Sequence, residues 1–309
     1  MSEVKAEQQH PRAQQMPIIV GPEFQAKWVE NLPSEEYHAD RTAVSSSGLR
    51  KALKSAATFR ANWLSHEEEG TKVMQFGTLA HLCVLEPWKF MQTYVVQPDF
   101  GDMRSSKNRA SRDEWRAEQK PGTTIVTQEE YDTLQGMVEA LVAHPDARAA
   151  LTNGKSELSG WYRDQETGLL CRIRPDFLHF NGKALIDIKT TVDCEAGRFS
   201  RAISSYGYHV QLAMYAAGCE AITGIRVEFP TIIAIEKKPP YEIAVYVLDQ
   251  GSMDVGTALY RRALRRIAES IRTGNWAMYQ KEVQSIAIPK WEFDAAGDEG
   301  LETEIGTEE

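Results

Sequence analysis

The stretch from Leu169 to Thr191 reads LLCRIRPDFLHFNGKALIDIKTT. Two apolar runs flank Asn181-Gly182, the dipeptide best suited to a two-residue type I′ turn, so the spacing predicts a β-hairpin. Such a turn sets Phe180 opposite Lys183. Counting outward, Asp176 faces Asp187, Arg174 faces Lys189 and Arg172 faces Thr191. Strand side chains alternate between faces. One face therefore takes Arg172, Arg174, Asp176, Asp187, Lys189 and Thr191, and the other takes Ile173, Pro175, Phe177, Ile186, Ile188 and Thr190. The second set reads as core and the first as chemistry.

Direct cross-strand partners lie about 4.5–5.5 Å apart at Cβ, where like charges repel. Asp176 and Asp187 must share a proton or hold a hard cation between them. Mg²⁺ suits one or two carboxylates completed by water and phosphate oxygens, and Mn²⁺ is expected to substitute. Lys189, two residues beyond Asp187 on the same face, is placed to hold a water or a phosphoryl oxygen. A cation, a carboxylate pair and an adjacent lysine together suit phosphodiester hydrolysis.

Pro175-Asp176 followed by Asp187-Ile188-Lys189 resembles the PD-(D/E)xK nuclease signature. Gly77-Thr78-Leu79-Ala80-His81 is similar to the GxxxH element of RecB-type nucleases, and Gln211 with Tyr215 to their QxxxY helix. The run from Val44 to Pro87 resembles the start of the RecE-type (exodeoxyribonuclease VIII-like) exonuclease domain, and the likeness extends through Trp161 and the YHVQLAMY helix to about Trp291. The resemblance implies an α/β core with a central mixed sheet flanked by helices. It implies His81, Asp176, Asp187 and the Ile188 carbonyl as Mg²⁺ ligands, with Asp176, Asp187, Lys189, Gln211 and Tyr215 as catalytic residues. It also implies 5′→3′ digestion of double-stranded DNA ends, 3′ single-stranded tails for an annealing partner of RecT type, and a homo-oligomeric ring, a tetramer or trimer. A restriction-type or structure-specific endonuclease shares the same chemistry, and a non-catalytic DNA-end binder is the alternative of another class.

At 309 residues and 42% hydrophobic composition, the chain supports a large core. The expected division is an arm over 1–20 without fixed structure, a nuclease domain over 21–293 and an acidic disordered tail over 294–309. The tail carries seven acids and no Lys or Arg, so the body holds only −2 of the net −9, and a basic channel is compatible with that balance. Four cysteines without CxxC spacing argue for buried thiols and against zinc, disulfides or an iron–sulfur cluster. With neither a signal peptide nor an apolar run of membrane length, a cytoplasmic location is expected.

Ser45-Ser46-Ser47 offers N-cap hydroxyls to a helix reaching about Leu64, with Arg50 and Lys51 close by. A helix N-terminus with cations beside it suits a phosphate, the competing reading being ordinary capping. Ser46, Ser47, Arg50 and Lys51, with Arg172 and Arg174 of the hairpin, are the candidate DNA contacts. Thr71 to Glu86 predicts a helix carrying His81 inward. Asp99 to Lys120 reads as a mobile basic loop leading into a short helix, and Gln128 to Ala143 as an amphipathic helix with Tyr131, Leu134, Val138, Leu141 and Val142 on its core side.

Glu157 to Asp164 is expected to pair with Leu169 onward, completing a three-stranded meander. Glu157 lies where similar enzymes often carry an acid, but it reads as a solvated strand end. Val227 to Ile235 and Tyr241 to Leu248 complete the sheet. The arginines of a helix over Asp254 to Arg272 either line DNA or keep a surface soluble, and Val283 to Trp291 is expected as an edge strand or subunit contact.

Overall fold

A computed structural model of the chain describes residues 24–65, 72–279 and 283–289. The expected arm over 1–20 and the acidic tail over 294–309 lie outside those residues. β1 (Lys27–Val29) and α1 (Ser34–Ala39) lead in, and Phe24, Val29, Leu32 and Tyr37 pack on Trp161 and Leu170. Ser45 caps α2 (Ser46–Lys54) by accepting from the Gly48 amide. The single helix expected to reach Leu64 is two. Extended Ser55 ends α2, and its hydroxyl accepts from the Thr58 amide to start α3 (Ala56–Ser65).

α4 (Lys72–Leu85) stops before Pro87, which opens α5 (Pro87–Thr93) at a position that needs no amide donor. β2 (Tyr94–Val96) leads to α6 (Ser106–Ala117), capped by Ser105, and then to β3 (Thr124–Val126), parallel to β2. Most of the stretch expected as a mobile basic loop is thus helix. Thr127 and Glu130 form a capping box for α7 (Gln128–Ala143). Val142, expected in the core, is 52% exposed, because Met137 takes the buried stripe between Leu134 and Leu141. α8 (Pro145–Ala150) follows.

A long hairpin then bends across two sheets. Its first arm is β4 (Gly154–Ser156) and β5 (Ser159–Arg163), and its second is β6 (Leu170–Ile173) and β7 (Phe177–His179). Gly160 faces Ile173 and Ser156 faces Phe177, one uninterrupted register. Yet β5 and β6 form a sheet with β1, while β4 and β7 belong to another. The bend falls at Glu157 on one arm and at Arg174-Pro175-Asp176 on the other. Glu157 adopts the left-handed φ of 51°, uncommon for a residue with a Cβ, and its amide donates to the Asp176 carbonyl at 3.0 Å.

β8 (Ala184–Thr191) pairs with β7 in the expected register, Phe177 opposite Ile186 and Leu178 opposite Leu185. The turn itself is different from the type I′ expected. Gly182 has a positive φ of 69° and Asn181 does not, the Gly182 amide donates to His179 and the Asn181 side chain accepts from the Lys183 amide. The hairpin arm also leaves β8 sooner than expected. Because β6 turns into the other sheet, the pairings of Arg174 with Lys189 and Arg172 with Thr191 do not form. Ile173 consequently joins the core of Leu178 and Leu185 rather than that of Phe177.

A parallel partner for β8 requires a crossover. It is made by α9 (Ala196–Tyr206) and α10 (Tyr208–Thr223), leading to β9 (Phe229–Glu236), which β10 (Ile243–Val247) joins antiparallel. The strand order β10-β9-β8-β7-β4 gives the expected mixed sheet. Ile186, Ile188, Ile233 and Ile235 pack beneath Leu134, Met137 and Leu141. Leu185, Ile232 and Ala234 pack with Leu212, Ala213 and Leu264 on the other side.

α11 (Gln250–Thr273) crosses α10 closely at Gly256, where an added Cβ would stand 2.3 Å from the His209 carbonyl. Gly256→Ala is expected to lower stability by about 1–3 kcal/mol, read as a shifted urea midpoint. Three arginines of α11 are engaged within the protein. Arg261 pairs with Asp164, Arg265 with Glu166, and Arg266 Nη1 donates to the carbonyls of Ala52 and Leu53. Residues 283–289 are exposed and form no strand, so an edge strand expected over Val283 to Trp291 does not form there, and residues 290 and 291 lie outside the described residues. The four cysteines are free and buried, and no helix among the described residues is long and apolar enough to cross a membrane.

Candidate active site

The uninterrupted registers on either side of Asp176 line up three acids. The bent hairpin places Glu157 across from Asp176, and the β7–β8 register, carried one step beyond Phe177 and Ile186, places Asp187 on its other flank. Asp176 Oδ2 accepts from the Ile188 amide at 2.6 Å, which ties its carboxylate to β8. Ile188 thus meets the site through its N–H.

α4 lays Gly77 against Thr190 of β8, and one turn later His81 Nδ1 comes within 3.4 Å of Asp176 Oδ2. His81, Glu157 and Asp176 each offer a ligand atom, all within 4.8 Å of one another. Asp187 is fully buried beside this group. Its Oδ1 accepts from Gln211 Nε2 at 2.9 Å, and its Oδ2 lies 2.5 Å from Lys189 Nζ. Gln211 and Tyr215 stand one turn apart on α10, but only Gln211 touches an acid. Tyr215 is buried near Ser46 at the start of α2.

Ser47 shares a hydrogen bond with Ser45, exposed Arg50 donates from Nη1 to the Tyr206 carbonyl at 3.0 Å, and Lys51 is exposed. The two hairpin arginines do not line an open face. Arg172 and Arg174 are buried with their guanidinium groups 4.6 and 5.3 Å from the centre of the Tyr37 ring. Arg174 reaches the acids through Glu157, donating from Nε to Oε2 at 2.6 Å. Arg172 Nη2 donates to the His38 carbonyl at 3.4 Å.

Glu157 is the acid that the sequence reading undervalued. A solvated strand end is what a straight meander would make of it, whereas the bend turns it inward beside Asp176. The signal was present in the turn from Gln165 to Gly168, which fixes Arg163 opposite Leu170 and, six residues further back on the first arm, Glu157 opposite Asp176.

Crowding of the acids divides their protonation. Burial and the Asp176 charge outweigh Lys189 and push Asp187 up to about 6. Burial and Asp176 likewise raise Glu157 against the pull of Arg174. For Asp176 burial is outweighed by His81, Lys189 and the Ile188 amide, and its carboxyl sits below the ordinary range. His81 and Lys189 are opposed by burial but held above their usual values, His81 chiefly by Asp176 and Lys189 chiefly by Asp187.

Three carboxylates and an imidazole against Arg174 and Lys189 leave an excess of negative charge. That donor set fits a hard divalent cation. Carboxyl groups whose pKa is raised bind protons that a cation must displace. Divalent affinity is therefore expected to fall as the pH drops through about 6, with protons released on binding. Calorimetric titration of Mn²⁺ in buffers of differing ionisation enthalpy checks this.

An α/β domain whose mixed sheet carries an acid before one strand and an acid–x–lysine on the next has the nuclease core of PD-(D/E)xK type. Residues 45–288 match the PDDEXK-like domain of unknown function DUF3799, and the chain belongs to that family. The fold is similar to the crystal structure of a "Putative exonuclease" from Eubacterium rectale, 13% identical, with a TM-score of 0.53 over 86% of this chain and 99% of that one. A second structure, SSO0001, is 15% identical and covers 71% of this chain and 84% of its own, at a TM-score of 0.25 that carries no argument. No curated protein matches the sequence.

Proposed function

We propose that the protein is a divalent-metal-dependent deoxyribonuclease that digests duplex DNA from its ends. The row of Glu157, Asp176 and Asp187, with His81 and Lys189 against it, carries this reading. His81, Glu157, Asp176, Asp187 and the Ile188 carbonyl would hold the cation, Mg²⁺ with Mn²⁺ as substitute. Bound there, the cation supplies Lewis-acid polarisation of the phosphoryl group and offsets charge on the departing 3′ oxygen.

The chain's own residues do the positioning. Lys189, whose ammonium is favoured by the two aspartates, donates hydrogen bonds to the attacking water and to a phosphoryl oxygen. Gln211 fixes the orientation of Asp187, Arg174 fixes that of Glu157, and Tyr215, buried near Ser46, braces the helix that carries Gln211. Water attacks phosphorus in line, the P–O3′ bond breaks, and no covalent intermediate is required. Ser46, Ser47, Arg50 and Lys51 at the start of α2 are the candidate contacts to the DNA backbone.

The resemblance to RecE-type enzymes supports the finer reading: 5′→3′ polarity, 3′ single-stranded tails passed to an annealing protein of RecT type, and a ring-shaped homo-oligomer in the cytoplasm. Digestion of linear duplex labelled at the 5′ or the 3′ terminus, with and without a 5′-phosphate and beside closed circular DNA, tests these together. Early release of the 5′ label from linear DNA alone is expected. Cutting of the closed circle would move the reading to an endonuclease, and no cutting in Mg²⁺ or Mn²⁺ would overturn it.

Glu157→Gln keeps the shape and the hydrogen-bond reach to Arg174 but removes one negative charge. Divalent affinity is expected to fall about 10- to 100-fold, measured by calorimetry, with a parallel loss of cleavage at limiting metal.

A further inference from the structure

One group next to the site is used by none of these roles. Tyr206, the last residue of α9, is 57% exposed, and its ring stacks on Tyr208 with centroids 5.6 Å and planes 25° apart. The stack is built from the inside outward. Tyr208 leans on buried Phe199 at 6.3 Å, Phe199 stacks on Tyr246 at 5.5 Å, and the Tyr246 hydroxyl donates to the Cys194 carbonyl.

Two cations lie along this file of rings. Lys189 Nζ stands 5.0 Å from the centre of the Tyr208 ring while it pairs with Asp187, and Arg50 holds the Tyr206 carbonyl. The side chain of Arg50 runs past Gly207, between the two tyrosines, where an added Cβ would meet its Cδ at 3.4 Å. An exposed aromatic face backed by stacked rings, with the Lys189 ammonium over the next ring and the Arg50 guanidinium on its backbone carbonyl, matches the chemistry of a nucleotide: flat base, anionic backbone. Only the Tyr208 ring separates Tyr206 from Lys189, so a base on Tyr206 would belong to a nucleotide close to a phosphate held by Lys189.

Resting on the nuclease reading, we propose that Tyr206 is a stacking platform for an unpaired base adjoining the scissile phosphate, so that the strand is engaged with its end frayed rather than as intact duplex. A paired base has no free face to offer except at a terminus. The platform therefore makes end recognition depend on melting the terminal pair.

The test uses the full chain and a short single-stranded oligonucleotide carrying 2-aminopurine, without divalent ion, so that binding is read apart from cutting. Stacking is expected to quench the probe, and Tyr206→Ala to weaken binding roughly 5- to 150-fold, the range for one base on one ring. Tyr206→Trp and Tyr206→Phe should stay close to the parent. An abasic nucleotide at the stacked position should remove the difference between parent and Tyr206→Ala, an effect that mere loosening of α9 does not produce. Equal affinity of parent and Tyr206→Ala, or a loss that persists with the abasic strand, would overturn the proposal. The two readings separate cleanly: a parent that quenches the probe but cuts nothing sinks the nuclease reading alone, and one that cuts linear DNA with Tyr206→Ala unimpaired sinks the platform alone.

Discussion

Asp187→Asn is expected to lower cleavage of linear duplex DNA by about a thousandfold or more while leaving the protein folded. The asparagine keeps an oxygen where Gln211 Nε2 donates, so α10 and β8 stay joined. What goes is the negative charge at the Lys189 end of the row, and stabilisation of a phosphoryl group by a bound cation is worth several kcal/mol. About 4 kcal/mol of barrier is that factor of a thousand. The rise in melting temperature that Mg²⁺ or Mn²⁺ gives the parent should shrink or vanish in the variant, since a ligand stabilises in proportion to how tightly it binds the folded state. Comparison of end-labelled digestion and melting curves with and without metal checks both. A variant within tenfold of the parent would show that Asp187 is a structural partner of Lys189.

Lys189→Met is expected to separate binding from chemistry. The thioether fills the stem's place between Tyr208 and Asp187, and the ammonium is lost. Proton-handling and water-orienting groups contribute about 10²–10⁴ in rate, so kcat should fall by that much. Divalent affinity should hold or rise, because a like charge has been removed from the cation's neighbourhood. Cleavage kinetics at saturating Mg²⁺, together with a calorimetric titration of Mn²⁺, read the two effects independently. Unchanged kcat, or a variant that no longer takes up metal, would assign Lys189 to holding the site together instead.

Much of the site was legible because a hairpin converts spacing into geometry. Asn181-Gly182 between two β-rich runs was enough to put Asp176 beside Asp187, even though the turn uses a positive φ at Gly182 alone. His81 and Gln211 became readable only through motif resemblance, since nothing local says that α4 and α10 reach the same strand end. The bend was not legible. Pro175 hinted that the second arm could not continue as a regular strand, but the change of sheet depends on how β1 and α1 pack against Trp161 and Leu170, a long-range matter. That one bend explains the departures together: Arg172 and Arg174 go under Tyr37 instead of alongside β8, Ile173 changes cores, and Glu157 comes in beside Asp176.

The helices show the same division. α7 was readable to the residue because a capping box and a strong period agree, whereas the break at Ser55 rests on a single serine serving two helix ends. α11 was found, but the engagement of its arginines by Asp164, Glu166 and the end of α2 is tertiary.

Anomalous diffraction from crystals soaked in Mn²⁺ tests the central assignment most directly. A peak is expected among the carboxylates of Glu157, Asp176 and Asp187, with His81 Nδ1 or Nε2 at ligand distance. A site that stays empty at millimolar Mn²⁺ near pH 8, or a peak bound elsewhere on the chain, would contradict it.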